Sequence, residues 1–202
     1  MTRKDPFRRL YEIAEAQHGF FTAKQAAAAG VARGLHGYHV KVGNWVRQRH
    51  GIYRLSVIPP TKNANLTLWQ LWSANRTGQA EGVYSHQTAL RLHGFELNPA
   101  KVHITVPARF RRTSPTPQEL RLYYADLPPT DIVLRQGYPT TAALRTILDL
   151  AAASTLAQDT LRHALLTFIE QQQISRDDVN RAQIPARLRA LFFQLRSEIH
   201  HR

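Results

Sequence analysis

No cysteine occurs anywhere in the 202 residues. That excludes disulfides, thiolate metal sites and cysteine nucleophiles together, and it suits a reducing compartment. No apolar run approaches the length of a bilayer span, and the charged start MTRKDPFRRLYEIAEA passes straight into a helical pattern without a signal-like apolar core. The expectation is a cytoplasmic chain with no membrane partner. Acidic residues are also missing over a long stretch. None falls between Glu15 and Glu81, while Lys24, Arg33, Lys41, Arg47, Arg49, Arg54, Lys62 and Arg76 lie inside it. A surface laid against phosphates cannot hold Asp or Glu without local repulsion, so an acid-free stretch points to a polyanion.

Enzyme signatures are absent too. The sequence has no P-loop glycine cradle, no HExxH, no GxSxG elbow, and no pair of acids followed by a nearby lysine. Only Lys62 and Lys101 occur beyond residue 60. No catalytic residue and no cofactor are assigned. Ten histidines raise a metal site, but His86 and His93 stand seven apart with no acid at ligand spacing, so satisfied, partly buried imidazoles are expected instead. Asp149 is expected to pair with Arg145, four residues before it on a helix.

What is present is positive charge: 27 Lys and Arg against 14 Asp and Glu give a net charge of +13. Nucleic acid is the usual partner of such a chain. A hydrophobic share of 43% is ample for a packed core in one large or two small domains.

The pattern predicts an α+β chain. Helical spacing of Phe7, Leu10, Tyr11, Ile13 and Ala14 after Pro6 gives a first helix. A brief extended segment at Phe20 and Phe21 follows, then a second helix capped by Thr22 and ended by Gly30. Residues 32–42 are predicted as a third helix, although Gly34 and Gly37 each cost about 1 kcal/mol against alanine. WVRQRHGIYRL then reads as a hairpin, Trp45 to Arg49 and Ile52 to Leu55, turning at His50 and Gly51. Helix, strand, helix, turn, helix and hairpin is the winged helix-turn-helix plan, assigned to residues 1–58.

Prolines 59 and 60 set a boundary, and residues 63–202 are read as a second, α+β domain. It should carry helices at 65–77, 86–92, 141–153 and 160–173 and strands at 83–85, 102–106 and 120–124. A basic, proline-containing loop, ARFRRTSPTPQE, lies between the last two strands. The arginine-rich tail beyond Ile184 reads as a final packed helix or a frayed end.

In the winged plan the third helix enters the major groove, which admits one α-helix. Val31, Leu35 and Val42 are expected to face the core, with Tyr38 or His39, leaving Arg33, His36, Gly37 and Lys41 outward as DNA-contacting candidates. A guanidinium can meet guanine O6 and N7 together, which makes Arg33 the candidate base reader; a phosphate contact is the alternative. The two glycines either let the backbone approach DNA or reflect tight packing against the second helix. Arg47, Arg49 and His50 at the hairpin are phosphate or minor-groove candidates.

The ordered series GFFTAKQAAAAGV, RQRHGIYRL, GVYSHQTALRLHGF, KVHITVPARFRR and YPTTAALRTILDLAA, over about residues 7–173, resembles the AbiEi-type antitoxins of type IV toxin-antitoxin and phage abortive-infection systems. The resemblance implies a bacterial, nucleoid-associated autorepressor that binds inverted repeats in its own promoter. It further implies a C-terminal antitoxin domain opposing a nucleotidyltransferase-like toxin, generally without a stable complex. Arg47, Arg49 and His50 match the family's basic wing, and Arg109, Arg111 and Arg112 match its basic strand-loop. LHGYHVKVG departs from the arginine-rich, glycine-poor stretch expected there, and the acidic nuclease-like extension of longer relatives is not found in this sequence. A monomer or weak dimer is expected. Two other readings are a DNA-targeted nuclease or modifying enzyme, and a ligand-sensing regulator with Trp69, Trp72 and Tyr84 in a pocket.

Overall fold

A computed structural model describes residues 5–61, 63–175 and 177–178. The arginine-rich tail expected beyond Ile184 lies outside the described residues. The fold is mixed α and β, in two compact units that divide between Gly82 and Val83. Among the described residues no helix is long and apolar enough to cross a membrane.

The first unit opens with α1 (Pro6–Ala16), which Asp5 caps by accepting from the Phe7 amide and Pro6 starts at a position that needs no N–H. Strand β1 (Phe20–Thr22) leads into α2 (Ala23–Ala29) through a reciprocal cap: Thr22 Oγ1 accepts from the Gln25 amide and Gln25 Oε1 accepts from the Thr22 amide. Gly30 ends α2 at φ +103°, a left-handed conformation that glycine alone adopts without strain. A 3-10 turn (Arg33–Leu35) and the short α3 (His36–Lys41) follow, in place of the single helix expected over 32–42.

Strands β2 (Trp45–Arg49) and β3 (Ile52–Leu55) form the expected hairpin, and β1 joins it in the order β1-β3-β2, all antiparallel. Leu10, Ala14, Phe21, Ala26, Ala29, Val31, Trp45 and Tyr53 make one core between these elements. Helix α4 (Ala64–Trp72), expected to open the second domain, packs against β1 and β3 of this unit. Its Leu66, Leu68, Trp69 and Trp72 are all buried.

The second unit is built on a five-stranded sheet: β4 (Val83–Tyr84), β5 (Val102–Val106), β6 (Leu120–Tyr124), β7 (Ile132–Arg135) and β8 (Tyr138–Thr141), in the order β6-β5-β4-β8-β7. Pairs β4–β8 and β5–β6 are parallel; β4–β5 and β7–β8 are antiparallel. Helix α5 (His86–Leu92) lies against β5, β8 and α6 (Ala143–Ala153), and α7 (Gln158–Glu170) packs on α6. Leu90, Ile147, Leu150, Leu161, Leu165, Phe168 and Ile174 are the centre of its core.

The β7–β8 hairpin was not expected from the sequence. Its turn has Gln136 at φ +52° and Gly137 at φ +84°, the two successive left-handed residues of a tight hairpin. Pro139 is tolerated because Arg135↔Tyr138 closes the two-residue loop, so at the next pair, Leu134↔Pro139, the proline nitrogen points away from β7 and toward β4, which pairs with β8 only at Tyr84↔Thr140.

Candidate nucleic-acid interface

The side chains proposed from sequence do not all reach the surface. Arg33, Gly37, Lys41, Arg47 and His50 are exposed. His36, expected outward, is buried at 6% exposure, its ring 5.1 Å from that of Trp45 and 5.9 Å from that of Tyr53. Its Nε2 finds no partner among the described residues. His39 is buried beside it, stacked on Trp45 and met edge-on by Phe7 at 5.2 Å, with Nδ1 3.3 Å from the Asn44 side-chain amide.

The inward side of α3 is therefore made of imidazoles. Leu35, Tyr38 and Val42 are exposed, against the expectation that Leu35 and Val42 face the core; Val31 is buried as expected. The physical reason is the 3-10 turn. Three residues at three per turn shift the phase of everything after them, so an α-helical count begun at Arg33 assigns the wrong side. The choice of imidazole follows from the pocket. Phe21, Trp45 and Tyr53 form an aromatic wall whose faces and edges accept flat rings. Burial, with His36 nearby, holds the His39 pKa below its ordinary 6.5.

On the hairpin, Arg47 reaches over the Tyr53 ring at 5.9 Å while remaining exposed. Arg49 differs. It is half-buried, and its guanidinium lies 5.2 Å over the Trp69 ring of α4. A register shift between Arg47 and Arg49 breaks the simple alternation of the strand. The exposed cations of α3 and the hairpin sit on neighbouring elements, since α3 packs on β2.

Gly34 and Gly37 are also informative. A methyl built on either meets no atom within 4 Å, and neither has a left-handed φ. Tight packing against α2 does not account for them. The sequence reading also missed Tyr38, at 58% exposure the most open large hydrophobic side chain on α3. Its signal, two glycines within four residues beside it, was visible but had two explanations.

In the second unit Arg109, Arg111 and Arg112 are exposed on the loop after β5, around a buried Phe110. Arg111 Nη1 donates to the Ala108 and Phe110 carbonyls, and Arg112 lies 5.6 Å over the Phe110 ring, so the loop is braced by its own cations. Two carboxylates share one guanidinium: Arg145 donates to Asp149 Oδ1 at 2.8 Å, the pairing expected at four residues' spacing, and to Asp131 Oδ2 at 3.1 Å. Burial outweighs the guanidinium and raises the Asp149 pKa.

His86, His93 and His103 are structural partners. His86 stacks on Tyr123 at 3.5 Å with Nδ1 3.0 Å from Ser85 Oγ, and His103 Nδ1 lies 3.2 Å from Tyr123 Oη. Burial, with His103, Arg121 and Arg145 nearby, pushes His86 down to about 3; burial and Arg121 push His103 down to about 4. His93 Nε2 donates to the Thr141 carbonyl, which leaves Nδ1 to accept from Arg135 Nε. Ser85 is fully buried and His86 nearly so. Among the described residues no three His, Asp or Glu side chains converge as a metal-binding set. Trp69 and Trp72 are buried in the first unit and Tyr84 in the second.

Residues 8–56 match a family described as transcriptional regulator, AbiEi antitoxin. The resemblance read from the sequence is shown over that segment, which holds α1 through β3; the later segments of the series lie outside the match. No curated protein matches the chain. Among solved structures, the chain is similar to the crystal structure of the RV2827C protein from Mycobacterium tuberculosis, with a TM-score of 0.64 and 15% identity, covering 95% of this chain and 76% of that one. At that identity the likeness is one of fold.

Proposed function

We propose, from the AbiEi regulator match over residues 8–56, that the first unit is a winged helix-turn-helix that binds duplex DNA and represses its own promoter at inverted repeats. Helix α3 enters the major groove, and the β2–β3 hairpin is the wing on the adjoining backbone. The observation that carries this reading is the exposure of Arg33, Lys41, Arg47 and His50 on adjoining elements, in a stretch with no acid between Glu15 and Glu81. Cations so placed release counterions from DNA, with no carboxylate to oppose them. Arg33 is the base-reading candidate, and Arg47 and His50 are phosphate contacts. Arg49 contributes through its packing on Trp69 as much as through its charge.

The second unit is the antitoxin part of this proposal, opposing a nucleotidyltransferase-like toxin, with Arg109, Arg111 and Arg112 as its candidate functional residues. The protein acts without catalysis. Asp131 and Asp149 share the Arg145 guanidinium, and the second oxygen of Asp149 is buried, so the two do not form an open pair of acids for a nuclease site. Gel shifts with the chain's own upstream promoter test the reading: saturable binding that survives competitor DNA supports it. Equal affinity for promoter and random duplex would overturn the repressor role. Cleavage of labelled DNA with magnesium or manganese would replace it with the enzyme reading.

A further inference from the structure

The outward side of residues 33–42 is not the uniformly basic surface that its neighbourhood suggests. Leu35, Tyr38 and Val42 are exposed at 46%, 58% and 48%; Tyr38 and Val42, four apart, share one side of α3, and Leu35 precedes them at the end of the 3-10 turn. Arg33 and Gly34 on the same 3-10 turn, and Gly37 and Lys41 on α3, are exposed as well. The fold does not ask for any of this. The inward side of α3 is already filled by His36 and His39. Alanine in place of Gly34 or Gly37 would meet nothing and would favour helix by about 1 kcal/mol each. What remains is a surface shaped for something that approaches closely from outside.

The accompanying charges say what that is. Arg33 on the 3-10 turn and Lys41 on α3 are exposed with these apolar side chains, and Arg47 is exposed on the strand next to α3, so the fitting partner joins anionic groups to an apolar one. A second copy of this chain, set face to face by a two-fold axis, would bring cation against cation. The major groove of B-DNA has the required pattern: phosphates along the rims, and on the floor one kind of apolar group, the C5 methyl of thymine. We propose that Tyr38 and Leu35 read thymine methyls and that Gly34 and Gly37 set the depth to which α3 seats. The core of the operator is then marked by T·A pairs beneath the middle of α3. This rests on the DNA-binding reading of the preceding subsection and adds to it the residues that discriminate and the bases they discriminate.

The test uses the full chain and duplexes that it selects from a random pool. Replacing each selected thymine by deoxyuridine removes the methyl and leaves the hydrogen-bonding pattern intact. At one or two positions affinity should fall roughly fourfold, the worth of burying one such group. The Tyr38→Ala variant should bind more weakly and lose that sensitivity, which separates methyl reading from a general loss of contact. Gly37→Ala should unfold at a higher temperature yet bind the selected duplex less well, with random duplex little affected. Selected sites without a shared thymine, or deoxyuridine that is neutral throughout, would overturn the inference and leave duplex binding standing. Failure of the unaltered chain to bind any duplex would remove the earlier reading as well. Tyr38→Ala that abolishes self-association and leaves DNA affinity unchanged would assign these apolar side chains to a contact between copies.

Discussion

The imidazole of His39 lies flat on the indole of Trp45, with ring centroids 4.8 Å apart and planes within 20°. That contact fixes which side of α3 faces in, and thereby which side chains are presented outward. Its neighbour His36 shares the pocket but leaves Nε2 without a partner among the described residues. An unpaired buried nitrogen costs about 1–3 kcal/mol. His36→Leu should therefore keep or raise stability in urea denaturation, whereas His39→Ala, which removes the stacked ring, should cost roughly 2 kcal/mol. A His36→Leu variant markedly less stable than the parent would show that His36 is bonded in solution.

Acid should loosen the second unit. His86 and His103 are held down to about 3 and about 4, and His93 is also lowered, so all three are neutral when folded at neutral pH. In the unfolded chain each takes up a proton below its ordinary value of about 6.5. Stability is thus full above pH 6.5 and falls as pH drops toward 4 and then 3. Asp149, whose pKa is raised, works in the opposite direction but is a single group. From pH 7.5 to pH 5 a fully buried neutral ring loses up to about 2 kcal/mol, enough to lower Tm by roughly 5 °C. A thermal melt that is flat over this range would refute the assignment.

Arg145 holds two carboxylates at once, and Asp149 is the more buried of them, its side chain 13% exposed. Arg145→Ala should destabilise by roughly 2–3 kcal/mol because it strands a carboxylate in the interior. Adding Asp149→Asn should restore part of the loss. A double-mutant cycle by denaturant melting reads this coupling directly, and additive losses would deny it.

Among the cations, Arg47→Ala should weaken binding to promoter and random duplex alike and reduce the slope of log affinity against log salt by about 0.9. Arg33→Ala should weaken promoter binding more than random binding. Arg49→Ala should also lower Tm, since its guanidinium covers Trp69. Titrations at several salt concentrations, paired with melts, distinguish the three, and an unchanged salt slope for Arg47→Ala would remove it from the phosphate contacts.

Much of the architecture could be read from residue order because local rules and tertiary packing agree there. The Trp45–Arg49 and Ile52–Leu55 strands, and those at Val102–Val106 and Leu120–Tyr124, lie where their β-branched and aromatic runs put them. The β7–β8 hairpin was hidden because Pro139 argues against a strand and only the register shows why it is tolerated. The side of α3 that faces inward was hidden by a three-residue change of pitch that hydropathy does not report, and by histidines occupying core positions usually given to leucine. Helix α4 follows a double proline, yet its packing against β1 and β3 ties it to the preceding strands. A composition boundary and a packing boundary are different things.

Strands β5 and β6 run in the same direction as neighbours, so the chain after Val106 must travel back the length of the sheet before β6 begins at Leu120. No tight turn can join such a pair. Residues 107–119 are thus obliged by topology to form a long overpass, and its middle can be rewritten without disturbing a single ladder bond. The sheet thus leaves the identity of that middle stretch unconstrained, and replacing it would probe what Arg111 and Arg112 contribute without unpairing a strand.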